Sequence, residues 1–305
     1  MTKMLDFKQL LKDAYDHAIL TTSGENASYI PELARVNSDY FAIVVSGVDG
    51  SIHSIGDADI PFAIESISKV FNLAYALDSF GSEAILTKIG ANATGMSFNS
   101  VAAIELEQHQ AGNALVNAGA IATVSLILSK QQDFDIMANM SRFAGEELDL
   151  NKAVCDSEMA TNRHNQAIAE LLLSYDRLYA DPAVAVQKYT RGCSINVSTR
   201  QLALMSGVLA NEGAHPLTKD KILAPEYVHK ILAMMTIAGM YDNSGTWFYR
   251  TGVPAKSGVG GGIMAIVPGR FSIAAFSPPL DQYGNSARGQ QAIQYLLQQL
   301  KIRVM

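Results

Sequence analysis

Cysteine is almost absent from this chain: Cys155 and Cys193 are the only two in 305 residues. That speaks against a disulfide framework. Met1-Thr2-Lys3-Met4-Leu5-Asp6-Phe7 also lacks an apolar signal core, so the expected setting is the cytosol, with both thiols free. Long apolar runs are missing too. A membrane helix needs ~18 uninterrupted apolar residues, and the nearest approach is the short run Val124 to Leu128. No basic run occurs, and 23 basic against 29 acidic residues leave a net charge of −6. Nucleic acid and anionic membranes are therefore poor partners, and small neutral or zwitterionic molecules fit better. The six histidines show no metal-ligand spacing, so neither a metal nor another cofactor is expected. Internal repeats, low-complexity tracts and linkers are also lacking.

Apolar residues, at 49%, suffice for a large core, organised as one big domain or two intimately packed lobes. The chain opens with an amphipathic helix from Leu5 to about Leu20. A loop follows, carrying Tyr29 just ahead of Pro31. Next come Tyr40 to Ser46 and Ser51 to Ile55, a hairpin turning at Asp49-Gly50. From Ser66 to about Gly239 the pattern is helical throughout. It includes an almost wholly apolar helix from Asn117 to Leu128, a helix near Ser157 with Ser157 as cap, one from Asp181-Pro182 through Tyr189, and one capped by Ser198 with Gln201. Val253 to Ser257, Ile263 to Val267 and Phe271 to Phe276 read as an antiparallel meander, and a helix from Ala287 to Leu300 closes the chain.

Within this pattern Glu65-Ser66-Ile67-Ser68-Lys69-Val70-Phe71 holds a serine and a lysine three residues apart, on one face if a helix starts there. A serine hydroxyl needs a base, and a desolvated lysine can serve. The spacing alone equally fits a serine near a cap with a solvated lysine. Other polar residues are just as open by themselves. Tyr29 could simply bury its ring, Asn117 could cap its helix, and Glu158 and Asn165, seven apart, could form one solvated helix face.

Read together, Ser66-x-x-Lys69, Ser194-x-Asn196 and Lys256-Ser257-Gly258 resemble the three ordered boxes of serine β-lactamases and penicillin-binding proteins. The chain resembles the serine-dependent glutaminases, which share that fold, more closely and from Tyr29 to the last helix. The matching segments are Ala27 to Ala34, Glu65 to Phe71, Asn113 to Gly119, the Glu158 to Asn165 helix, Tyr189 to Ile195, Met240-Tyr241-Asp242 and Lys256 to Gly262. The resemblance implies an α+β fold: a five-stranded antiparallel sheet flanked by terminal helices, with an inserted helical lobe. Residues 1–305 would form a single catalytic domain, with the α/β lobe at about 1–65 and 240–305 and the helical lobe at about 66–239.

The implied reaction is hydrolysis of L-glutamine to L-glutamate and ammonia. Ser66 matches the nucleophile and Lys69 its base. Tyr29, Tyr189 and Tyr241 match residues at the reacting centre. Asn117, Glu158, Asn165, Tyr189 and Tyr241 match the glutamine-binding shell, and Val259 the residue whose N–H completes the oxyanion hole. A cytoplasmic homo-oligomer is implied. Animal members carry a long N-terminal extension and C-terminal ankyrin repeats that this sequence lacks, so the implied form is the minimal bacterial one. The alternatives are a β-lactamase or peptidoglycan acyl hydrolase, disfavoured by the missing export signal, and an inactive interaction module, disfavoured because every expected polar group is present.

Overall fold

The structure is a computed structural model that describes residues 7–107 and 109–302, so the expected helix start at Leu5 lies outside the described residues. The strands are β1 (Ala42–Gly47), β2 (Ile52–Gly56), β3 (Phe62–Ala63), β4 (Asn196–Val197), β5 (Ala255–Ser257), β6 (Gly262–Val267) and β7 (Phe271–Phe276). Five of them form an antiparallel sheet in the order β2-β1-β7-β6-β5, and β3 pairs with β4 in a separate two-stranded ribbon.

Side-chain alternation along these strands explains how the sheet is covered. In β1, Ile43 and Val45 belong to one apolar cluster, and Ala42 and Val44 to another on the opposite face. In β7, Ile273 and Ala275 face the first cluster while Ala274 and Phe276 face the second, and β6 divides likewise. A sheet apolar on both sides must be buried on both sides. Helices Phe7–Ala18 and Ala287–Gln299 pack against each other over the first face, and helix Thr199–Ala210 crosses the second. The sheet thus joins chain ends to chain middle.

Between β3 and β5 the chain is mainly helical, as its periodicity predicts. Helix Asn117–Lys130 runs through the centre of this body, with every residue from Ala118 to Leu128 buried. Asp181 caps helix Pro182–Cys193, its carboxylate accepting from Val184 N–H at 3.0 Å, and Ser198 forms the expected capping box with Gln201. Three local expectations need correction. The β3–β4 ribbon interrupts the supposedly continuous helical region. Ser157 lies inside helix Lys152–Thr161, whose cap is Asn151, accepting from Val154 N–H at 3.1 Å. Glu158 and Asn165 do not share one helix: the chain breaks at Asn162, and Asn165 belongs to helix Arg163–Ser174. Sequence spacing carries no mark of that break, because asparagine there interrupts without proline or glycine.

Two contacts hold the segment containing Ser66 against the sheet. The Phe62 ring stacks on Phe276 with centroids 4.1 Å apart. The turn between β5 and β6 crosses the same segment closely enough that only glycine fits: a Cβ at Gly260 would lie 2.3 Å from the Ala63 carbonyl oxygen and 3.3 Å from Glu65 Cγ. Gly260→Ala should therefore displace the chain next to Ser66 and cost about 1–3 kcal/mol. An unchanged urea midpoint for that variant would show that the approach is not tight in solution.

Candidate active site

Ser66 sits on a 3-10 turn, Glu65–Ile67, that leads directly into helix Ser68–Phe80, and Gly81 ends that helix with φ of 80°. Because Ile67, Val70, Phe71 and Leu73 are buried, this helix lies in the core over most of its circumference, and Lys69 is carried in with it at 1% exposure. Burial pushes the Lys69 ammonium down to about 8, against the opposing fields of Cys193, Glu65 and Glu158. Its Nζ donates to Asn117 Oδ1 at 2.6 Å and to the Leu115 carbonyl at 3.3 Å, neither of which is the Ser66 hydroxyl. The ring centroids of Phe98 and Tyr189 lie 6.0 and 5.9 Å from the same nitrogen.

Asn117 is the first residue of its helix, but it does not cap it. Asn113 does the local turn work instead, its Oδ1 accepting from the N–H groups of Leu115 and Val116 at 3.0 and 3.3 Å. That frees the Asn117 amide to link three elements: it accepts from Lys69, accepts from the Tyr189 hydroxyl at 3.5 Å, and donates to Asn165 Oδ1 at 3.1 Å.

Beside this link two carboxyl groups are buried, Glu65 at 4% and Glu158 at 8% exposure. One oxygen of each and Cys193 Sγ lie within 4.8 Å of one another. Burial raises the Glu158 carboxyl to about 7, partly offset by its hydrogen bond with Glu65 and by Lys69. Glu65 is held well above the usual carboxylate range, first by burial and then by the Glu158 charge. Burial also pushes the Cys193 thiol up. The trio has the donor types of a cation site, yet every member is biased toward its protonated form and Lys69 stands beside them. The arrangement favours protons over a metal ion.

Tyr241 is 5% exposed and has φ of 52°, a left-handed conformation uncommon for a bulky residue. Burial raises its hydroxyl, while Ser66 and the Val259 N–H favour the phenolate; among the described residues the hydroxyl completes no hydrogen bond. The Lys256 ammonium lies 4.5 Å from the centre of the Tyr241 ring and is held by the carbonyls of Gly239 and Ser257. Tyr29, 61% exposed as a residue, sits in the cavity wall on a loop anchored by buried Ile30, and its phenol is raised, first by burial and then by the fields of Glu65, Tyr241 and Glu158. A cavity of about 910 Å³ opens above these groups, with Tyr29, Asn117, Glu158, Asn165 and Val259 in its wall and Asp281–Gly284 at its rim.

A family model for glutaminases matches residues 24–305. The chain belongs to the glutaminase family. It is 50% identical to a glutaminase of Colwellia psychrerythraea over 300 residues, covering 97% of this chain and 96% of that one. It is 46% identical to Glutaminase 1 of Escherichia coli, covering 99% of each. Among solved structures, a probable glutaminase, ybaS, superposes with a TM-score of 0.94 at 46% identity, covering 98% of this chain and 97% of that one. A probable glutaminase from Bacillus subtilis, complexed with 6-diazo-5-oxo-L-norleucine, superposes with a TM-score of 0.85 at 28% identity, covering 97% and 94%. The glutaminase fold is β-lactamase-like, as the five-stranded sheet and inserted helices indicate.

Not every box of the sequence pattern reaches the site. Ser194 donates to the Thr190 carbonyl at 2.9 Å, and Asn196 donates to Asp149 Oδ2 at 2.9 Å while accepting from Asn151 at 3.0 Å. Ser194 is occupied at the end of helix Pro182–Cys193 and Asn196 in β4, so the middle box of the β-lactamase pattern is structural here. Conversely, Glu65, Cys193 and Phe98 join the cluster without having been singled out; the Phe98 ring meets Tyr241 at 4.6 Å. Glu65 had a signal, an acid directly after the apolar run Phe62-Ala63-Ile64.

Buried carboxyls with raised folded pKa values bind protons more tightly folded than unfolded, so stability should fall as pH rises from about 4.5, the ordinary glutamate value, through about 7. Glu158→Gln should flatten that fall by a few kcal/mol, since each tenfold change in an acid constant is worth about 1.4 kcal/mol. Urea midpoints at pH 5 and pH 8 test it, and an equal fall in the two proteins would mean that Glu158 ionises normally.

Proposed function

We propose that this amidohydrolase converts L-glutamine to L-glutamate and ammonia through a glutamyl ester on Ser66, with Lys69 as general base. The observation that carries the reading is the buried Lys69, with its pKa lowered to about 8, one helical turn beyond Ser66 and hydrogen-bonded to Asn117 of the cavity wall. A neutral amine takes the Ser66 proton as Oγ attacks the side-chain carboxamide carbon. The resulting oxyanion meets the N–H groups at the start of the Ser68–Phe80 helix and the Val259 N–H. As the tetrahedral intermediate collapses, the proton on Lys69 passes to the leaving nitrogen, with the unpaired Tyr241 hydroxyl between Ser66 and Val259 as relay. Water activated by Lys69 then cleaves the ester.

Recognition follows from charge. Glu158 is suited to the α-ammonium, while Asn117, Asn165, Tyr29 and Tyr189 offer neutral donors to the α-carboxylate. The reading extends to one catalytic domain spanning both lobes, supported by the family match through 24–305, and to a cytoplasmic, self-associating protein. No described helix is long and apolar enough to cross a membrane.

Ser66→Ala should abolish ammonia release from glutamine, and Lys69→Ala should come close. The double variant should be little worse than either, because residues acting as a unit are non-additive. Substantial turnover by Ser66→Ala would sink the acyl-enzyme route. With Lys69 near 8, kcat should rise with pH through that value, since only the neutral amine accepts a proton. A flat kcat between pH 6 and 9, with chemistry rate-limiting, would remove Lys69 as the base.

A further inference from the structure

Glu65 has no part in the chemistry described so far, yet it is the most buried acid of the site and occupies a strained position, with φ of 53°. Its carboxyl faces that of Glu158, and Oε1 of each is buried without a hydrogen-bond partner among the described residues. Both side chains are more than nine-tenths buried, and Glu158 lines the cavity. Two carboxylates this close, out of water, cannot both ionise cheaply. We propose that Glu65 and Glu158 hold one proton between them in the free protein and together bind the substrate's α-ammonium, surrendering that proton to solvent as the cation arrives.

The inference rests on the glutamine-hydrolysing reading and adds a residue and a proton to it. No covalent bond to carbon changes: the acid O–H of the pair breaks, the proton leaves through the cavity, and an N–H of the ammonium takes its place. The exchange preserves charge. A pair carrying one proton is singly negative, and so is a doubly ionised pair holding one ammonium. That matters for Lys69, because each added negative charge beside it stabilises its ammonium form and spoils it as a base. A fully ionised pair without a cation would keep Lys69 charged, whereas the proton-for-ammonium swap leaves its surroundings nearly constant. The other groups facing the pair are Cys193 and Tyr189 from helix Pro182–Cys193, Tyr29 from the loop before Pro31, and Tyr241; all four stay neutral, raised by burial. The pair is therefore the acid that responds.

Two measurements on the intact protein test this. Infrared spectra of protein labelled with 13C at glutamate carboxyls should show a protonated-acid carbonyl band in the ligand-free wild type at pH 8, lost in the isosteric Glu65→Gln. A wild type without that band overturns the shared proton, whatever the variant does. Calorimetry of L-glutamate binding at pH 8, in two buffers of different ionisation enthalpy, should then show wild type releasing about one proton more per ligand than Glu65→Gln. Equal release overturns the exchange. If the band is present but the wild type neither binds L-glutamate nor releases ammonia from glutamine, the proposed activity falls and the ammonium-coupled half falls with it, while the shared proton stands.

Discussion

The desolvation of one amine governs the rest of the site. Lys69 enters the core because its helix is apolar on nearly every side, and an ammonium there loses much of its hydration. The fold compensates only in part, with one amide oxygen, one carbonyl and aromatic faces at a distance, and without a salt bridge among the described residues. Direct pairing with a carboxylate would have returned the lysine to an ordinary, fully charged state. Partial compensation leaves its pKa at about 8, so a neutral amine becomes available at mildly alkaline pH, as the proposed base role requires. The placement of the acids follows: Glu65 and Glu158 are near enough to raise Lys69 and too far to make a hydrogen bond with it.

The sheet does its work at a remove. Its two apolar faces tie the chain ends to the helical body, and its β5–β6 turn lies against the segment that ends in Ser66. Val259 and Ser66 come from positions nearly two hundred residues apart in the chain. Their relative position is set by backbone-to-backbone contact at Gly258 and Gly260, where a side chain would collide with the Ile64 or Ala63 carbonyl. Two backbone segments in van der Waals contact have little room to shift, which is how the donors proposed for a developing oxyanion would be placed before the reaction begins.

What the sequence by itself determined follows from local periodicity and from motif order. Apolar runs punctuated by Gly260-Gly261-Gly262 and Pro268-Gly269-Arg270 marked β6 and β7, the Ser198 capping box marked a helix start, and the ordered segments from Tyr29 to Gly262 identified the family. Each of these signals is contained within a few consecutive residues. Ser194-x-Asn196 showed the limit of such reading: its spacing matched, but only the folded chain shows Thr190, Asp149 and Asn151 absorbing both side chains.

Tertiary structure alone decided which polar groups are dry and which charges face one another. Glu158 and Asn165 appeared to share a helix face, yet they reach the cavity from two helices separated by the break at Asn162. Asn117 could have been a cap, but its helix starts after Val116 without a side-chain cap and its amide goes to Lys69, Tyr189 and Asn165. The pairing of Glu65 with Glu158, 93 positions apart by their numbers, has no local trace at all. Ionisation depends on distance and dielectric, which are properties of the packed chain, whereas helix starts, turns and strand alternation depend on the few residues that form them.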